Sequence, residues 1–263
     1  MGVVVNLDLA DKTAVVTGAG RGIGLATVRT LVDEGVRVVG AARTITPELK
    51  ETGAYAVSAD LSTAEGVSAL VDGALAEFGG IDLLVNNVGG GDGATMAFLD
   101  VDDTEWAGAF EINLLSTVRA TRAALPSLIE RRGSIVNVSS ILARTPGGFP
   151  PAISSAKAAL TALGKSLAEE FGPRGVRVNT ISPGLVRTSV YLDPNGQVAQ
   201  WAAAAGVSLN DFVEQMAKSQ NVTTGRMTEP EEVAALIAFL LSEQAGNITG
   251  ADYLIDGGTL KAV

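Results

Sequence analysis

Seven short apolar runs, separated by longer stretches of helical period, constrain this chain more than any other feature. The runs are TAVVTG (13–18), VRVVGAAR (36–43), YAVSAD (55–60), IDLLVNN (81–87), SIVNVSS (134–140), VRVNTISP (176–183) and DYLIDGG (252–258). Several are apolar throughout, with no polar alternation, which is the pattern of strands covered on both faces. Between them the spacing predicts helices over 22–34, 62–78, 103–130, 153–171 and 229–243. Two helix starts have capping-box spacing, Ser62 with Glu65 and Thr228 with Glu231 around Pro230. Gly35 and Gly172 follow helix ends, where a left-handed residue closes the last turn. Strand and helix alternating along the whole chain predict an α/β fold: a doubly wound sheet of seven parallel strands with helices on both faces. One domain over residues 1–263 accommodates it. Only 187–225 breaks the rhythm, a long excursion after the sixth run and a candidate lid.

Composition narrows the chemistry. The chain has no histidine and no cysteine. That excludes Ser-His-Asp hydrolysis, a cysteine nucleophile, disulfides and zinc held by imidazole or thiolate, and no metal site is expected. Acid–base work therefore falls to Tyr, Lys, Asp, Glu or a hydroxyl. A net charge of -10 argues against nucleic-acid partners. The opening MGVVVNLDLADK lacks the basic and apolar regions of a signal peptide, and no apolar stretch has membrane-spanning length. A soluble, cytoplasmic protein with no membrane partner is the expectation.

The string TGAGRGIG follows the first run and opens the first helix, placing Gly18, Gly22 and Gly24 in a G-x-x-x-G-x-G pattern. Such glycines permit a tight turn and let a pyrophosphate approach the N–H groups of a helix N-terminus. At the end of the second run, an acidic residue would bind the ribose 2′-hydroxyl of NAD. Here the run ends Ala41-Ala42-Arg43, and Arg21 lies inside the glycine loop. Two guanidiniums at that place suit the 2′-phosphate of NADP(H). Asp60, ending the third run, is a candidate acceptor for the adenine amino group.

Seven blocks in order make the chain resemble the short-chain dehydrogenase/reductase family: TGAGRGIG, NNVG (86–89), FEINLLS (110–116), IVNVSS (135–140), SSAKAAL (154–160), RVNTISPG (177–184) and DGG (256–258). The resemblance covers about residues 10–258. It implies a Rossmann-type sheet, a bound nicotinamide dinucleotide, a small-molecule carbonyl or alcohol substrate, and a homo-oligomer, most often a tetramer. Carried over by position, Ile23, Leu61, Asn87 and Gly89 join the glycine loop, Arg43 and Asp60 around the cofactor, with Asn86 supporting the fourth strand. Val88 stands where alanine is usual, a departure that would crowd the adenosine. Asn113 matches the asparagine that shapes the active-site helix and holds a relay water. Ser140 matches the serine that orients the substrate oxygen, and Lys157 the lysine that grips the nicotinamide ribose and tunes the catalytic tyrosine. Pro183, Gly184 and Thr188 fall beside the nicotinamide.

The tyrosine itself is missing. Counting four back from Lys157 and thirteen forward from Ser140 both reach Ile153. The chain's three tyrosines are Tyr55, Tyr191 and Tyr253, so no shift of alignment restores one. Isoleucine neither donates nor accepts a proton, and a positioned general acid is typically worth about 10²–10⁴ in rate. Three explanations stay open. The first is a reductase with another proton source: Ser140, a water held by Lys157 and Asn113, or Tyr191 from the lid. The others are a degenerate NADP-binding protein with a sensing, assembly or other non-redox role, and an engineered loss. The candidate pocket wall comprises 86–98, 141–151 and 189–201, with Leu142, Phe149, Tyr191 and Trp201 as apolar candidates. The substrate's identity is not legible from them.

Overall fold

The computed structural model describes residues 6–90, 98–146 and 151–261. All seven runs form strands of one parallel sheet: β1 (Thr13–Thr17), β2 (Arg37–Ala42), β3 (Tyr55–Ser58), β4 (Leu83–Asn86), β5 (Ser134–Val138), β6 (Arg177–Pro183) and β7 (Asp252–Ile255). Their order is β3-β2-β1-β4-β5-β6-β7, every pair in parallel register. Each strand is shorter than its run, because the run's end residues leave the ladder to start turns. The order reverses between β1 and β4, and that reversal opens a crevice at the strands' carboxyl ends, where open α/β sheets take their ligands.

The helices are α1 (Gly22–Asp33), α2 (Pro47–Glu51), α3 (Ala64–Phe78), α4 (Asp103–Phe110), α5 (Ser116–Glu130), α6 (Pro151–Phe171), α7 (Ser189–Leu192), α8 (Gln197–Ala204), α9 (Leu209–Ser219) and α10 (Pro230–Leu241). The period-2 alternation of each strand sends its side chains to two separate cores. Ala14 and Val16 of β1 pack with Val28 and Leu31 of α1 and Ile237 of α10 on one face. Val15 packs with Leu70 of α3, Leu128 of α5 and Phe171 of α6 on the other. Burial on both faces explains why the central runs read as continuously apolar.

Several local expectations need correction. The helix expected over 103–130 is divided by a π turn, Glu111–Leu115, between α4 and α5. Thr63, not Ser62, caps α3, its hydroxyl accepting from Gly66 N at 3.1 Å, because the Ser62 hydroxyl is engaged by Asp60. The cap of α10 likewise falls one residue later, with Glu229 N donating to Glu232 Oε2 at 2.8 Å. Thr228 is held by a parallel bridge to Val186. Gly35 takes the left-handed conformation, at φ 78°. Gly172 instead opens a 3₁₀ turn, and Gly175, at φ 86°, makes the left-handed stop.

The excursion over 187–225 contains α7, α8 and α9. Its Val198, Val213, Ala217 and Val222 form an apolar cluster with the flanking Leu185 and Met227, separate from both sheet cores. Among the described residues, no helix is long and apolar enough to cross a membrane.

Candidate active site

The glycine loop is built for close approach. Gly18 and Gly22 sit at φ 67° and 53°, a region L side chains disfavour. A Cβ on Gly24 would collide with Gly18 O and lie 2.6 Å from Asn87 Nδ2. Asn87 fastens the loop, donating to Thr17 O at 2.9 Å and Gly18 O at 3.2 Å. Thr17 Oγ1 in turn accepts from Asn87 N at 2.8 Å and Val88 N at 3.0 Å, so one hydroxyl locks β1 to the segment after β4. Arg21 occupies the N-cap of α1 without a side-chain cap bond, which leaves the opening N–H groups of that helix for a ligand. Ile23, half-buried, follows in its first turn.

On the neighbouring side, Arg21 and Arg43 are both exposed at the crevice's β2 end. Asp60 Oδ1 accepts from the backbone and hydroxyl of Ser62, at 3.0 and 2.8 Å. Those bonds, with a smaller contribution from Arg43, hold its carboxyl below the usual range. Leu61 is buried beside it. Val88 packs onto the core between the sheet, α3 and α5, so its extra methyls are absorbed there.

At the other end of the crevice, three elements converge on Lys157. The lysine is buried, 7% exposed, and its Nζ donates to Val138 O at 2.9 Å. Burial lowers its pKa to about 8. A Cβ on Gly89 would lie 3.0 Å from that Nζ and 2.9 Å from Asn113 Oδ1, so the glycine lets the three groups meet. Asn113, buried on the π turn, accepts from Gly90 N at 3.0 Å and donates to Gly90 O at 2.8 Å and Ala109 O at 2.9 Å. Its side chain is thus spent on clasping the 86–90 segment to the helix. Ser140 caps the turn after β5, its Oγ accepting from Leu142 N at 3.2 Å. The adjacent Ser139 Oγ bonds Lys157 O at 3.1 Å and Thr161 Oγ1 at 2.8 Å, fastening α6 to the end of β5. Ile153 stands one turn before Lys157 on α6 and is half-buried. Pro183 ends β6, and Gly184 lies so close to Asp256 that a Cβ would come within 2.8 Å of its Cβ. Thr188 Cγ2 is 3.0 Å from where a Cβ on Gly22 would sit, so the root of the excursion meets the phosphate loop. A cavity of about 190 Å³ lies there, lined by Gly22, Arg29, Arg187, Thr188, Ser189 and Glu231 among others.

A family model described as enoyl-(acyl carrier protein) reductase matches residues 18–259. The chain belongs to the short-chain dehydrogenase/reductase family of oxidoreductases. A curated relative, the 3-oxoacyl-(acyl-carrier-protein) reductase of Vibrio cholerae, is 33% identical over 96% of this chain and 98% of its own. L-sorbose reductase from Gluconobacter frateurii, solved with NADPH and L-sorbose, superposes with TM-score 0.92 at 32% identity, covering 98% of this chain and 100% of that one. An NADPH-bound short-chain oxidoreductase from Pseudomonas aeruginosa PAO1, described as containing an atypical catalytic centre, gives TM-score 0.85 at 32% identity, covering 97% and 100%.

Residues 91–97 and Phe149 lie outside the described residues. Leu142 is half-buried on its turn. Trp201 is 40% exposed on α8. Tyr191 packs into the excursion's own apolar cluster, and burial raises its pKa. Sequence reasoning missed two groups. One is Thr17, whose only signal was its place just before the glycine loop. The other is Asp252 at the start of β7, which accepts from Ser182 Oγ of β6 at 2.7 Å and from Arg144 Nη2, after β5, at 2.7 Å. No motif marked it, because its partners come from distant parts of the chain.

Proposed function

We propose that this short-chain dehydrogenase/reductase is an NADP(H)-dependent carbonyl reductase whose proton does not come from a phenol at position 153. The observation that carries the reading is the convergence of Lys157, Asn113 and Gly89 at one end of the crevice, with the glycine loop at the other and Ile153 one turn from the lysine. The glycine loop fits a dinucleotide: Gly18, Gly22, Ile23 and Gly24 receive the pyrophosphate, with Asn87 and Gly89 bordering it. Arg21 and Arg43 take the 2′-phosphate, and Asp60 and Leu61 frame the adenine. Lys157 donates to the nicotinamide ribose, while Pro183, Gly184 and Thr188 wall the nicotinamide. When bound, the reduced nicotinamide supplies hydride to a carbonyl carbon, and Ser140 orients the carbonyl oxygen. The sorbose reductase complex, a relative of near-equal length that holds NADPH and a sugar, supports this choice of cofactor and reaction. The Pseudomonas structure supports the view that an atypical centre is compatible with bound NADPH.

The excursion carrying α7, α8 and α9 acts as a lid over the nicotinamide end within a single domain spanning the chain. A second reading, NADP binding without redox turnover, is favoured by Ile153 alone. Two measurements test the proposal. NADPH should quench or shift tryptophan fluorescence at lower concentration than NADH. A panel of ketones and aldehydes should then consume NADPH. Equal or tighter binding of NADH would remove the phosphate role of Arg21 and Arg43. Tight NADPH binding with no carbonyl compound reduced would leave the non-redox reading standing.

A further inference from the structure

The turn after β5 carries Ser140, the residue to which the reductase reading gives the substrate's carbonyl oxygen. Inside, that turn is closed on itself. Leu142 N donates to Ser140 Oγ at 3.2 Å, and Ala143 N to Ser140 O at 3.0 Å. Arg144 N and Thr145 N both donate to Ile141 O at 2.9 Å, and the Thr145 hydroxyl donates to the same oxygen at 3.1 Å. Among the described residues, every hydrogen bond that leaves the stretch from Ser140 to Thr145 comes from one side chain. Arg144 gives Asp252 Oδ2 two bonds, from Nε at 3.2 Å and Nη2 at 2.7 Å, and reaches Asp252 O at 3.5 Å. We propose that Asp252 is a positioning residue for carbonyl reduction, holding through Arg144 the turn that sets Ser140; the inference rests on the reductase reading above.

Asp252 suits this role because it is itself fixed. It opens the edge strand β7, in parallel register with Thr180 of β6. Its Oδ1 accepts from the buried Ser182 Oγ at 2.7 Å, so each carboxylate oxygen has a partner. Its side chain is 12% exposed and that of Arg144 41%. A pair so open to water on one side adds little to stability. Two N–H groups of one guanidinium on a charged oxygen nonetheless fix direction as well as distance. The other end of the turn is fixed by the sheet, where Ser139 N donates to Ile181 O at 2.8 Å. Ser140 therefore sits between two anchors, the ladder and the ion pair.

Isoleucine at 153 makes the turn's placement matter more. Position 153 offers no hydroxyl from α6 to share the carbonyl oxygen with Ser140. A displacement of about 1 Å at an orienting group can cost about 10²-fold in rate, even when the substituted residue lies far from the chemistry.

The experiment is a double-mutant cycle between Asp252 and Ser140, read as kcat and KM for a ketone the protein reduces, per NADPH-binding site. Asp252→Asn keeps the shape and an acceptor for Ser182 but removes the charge that holds Arg144. It should lower kcat by about 10- to 100-fold with KM nearly unchanged, since orientation of the oxygen counts in the transition state. NADPH affinity and the thermal midpoint should stay close to those of the unmodified protein. In a Ser140→Ala background the same change should cost less than about threefold, because the turn then has no hydroxyl to place. Arg144→Met should match Asp252→Asn, and Arg144→Lys, which keeps the charge, should recover part of the loss. Normal kcat in Asp252→Asn, an equal loss with and without Ser140, or weakened NADPH binding beside a lowered midpoint would each overturn the positioning role and leave the reductase intact. So would a lysine variant no better than the methionine one, the reading that decides if Ser140→Ala turns over too slowly to measure. Should the unmodified protein reduce no carbonyl compound, the reductase reading falls and this inference with it.

Discussion

At the scale of single residues, Lys157 and Ile153 define the account. A lysine so buried carries a cost that a solvated one does not. Its folded pKa is depressed from 10.5 to about 8, so the native state disfavours the charged form. The penalty is fully present below about pH 8 and is relieved as pH rises towards 10.5, where the unfolded chain sheds its proton too. Lys157→Met removes the charge while keeping much of the volume. The variant should be more stable than the unmodified protein near pH 7, by up to about 3 kcal/mol before the lost hydrogen bond is counted. That advantage should shrink as denaturation is repeated between pH 8 and 10.5. A difference constant across that window would mean the amine is not buried as a cation. Motif residues such as Gly18, Gly24 and Lys157 were legible because each type is dictated by local demands of space or charge. The acceptor of Lys157 was not, since it is a backbone carbonyl, and a sequence does not advertise carbonyls.

At the scale of elements, the period of the apolar runs was enough to find all seven strands, because a sheet covered on both faces needs apolar side chains on both. The five helical stretches expected between the runs were equally plain, though the short α2 was missed and boundaries shifted where side chains had competing partners. Ser62 is drawn to Asp60, so Thr63 caps α3. The π turn at Glu111–Leu115 had no compositional mark, as it is a change of backbone hydrogen bonding within an otherwise helical sequence. The three helices of the excursion were also hidden, because their apolar positions serve a small cluster of their own. A unit with a separate core and a root against the phosphate loop is suited to move as a body. Hydrogen exchange over 187–225 should therefore slow when NADPH and a ketone are bound together. Unchanged exchange would make it a fixed wall.

At the scale of the whole molecule, the parallel strands bring the motifs to their carboxyl ends, around the crevice where the order reverses between β1 and β4, which is why blocks scattered over about 240 residues form one site. The outer surface carries a further consequence. Phe98 and Leu99 are 67% and 92% exposed, beside Trp106 and Phe110 of α4, and water is a poor solvent for such a face. Another copy of the chain is the expected cover, which by itself would make a dimer; the family resemblance, not this face, is what extends the expectation to a tetramer. Light scattering at micromolar concentration should give a multiple of 26.8 kDa, and a monomer would refute the expectation. The central claim is that the cofactor site and the hydride chemistry persist while the phenol's role has passed elsewhere. Ile153→Tyr tests it most directly, with NADPH affinity and ketone reduction measured side by side in both proteins. The account predicts reduction by the unmodified protein, nearly unchanged NADPH affinity in the variant, and a higher rate that stays below the about 10²–10⁴ of a positioned acid because another donor already serves, blunted further if the larger ring overpacks the pocket. NADPH binding by both proteins with reduction by neither would contradict it.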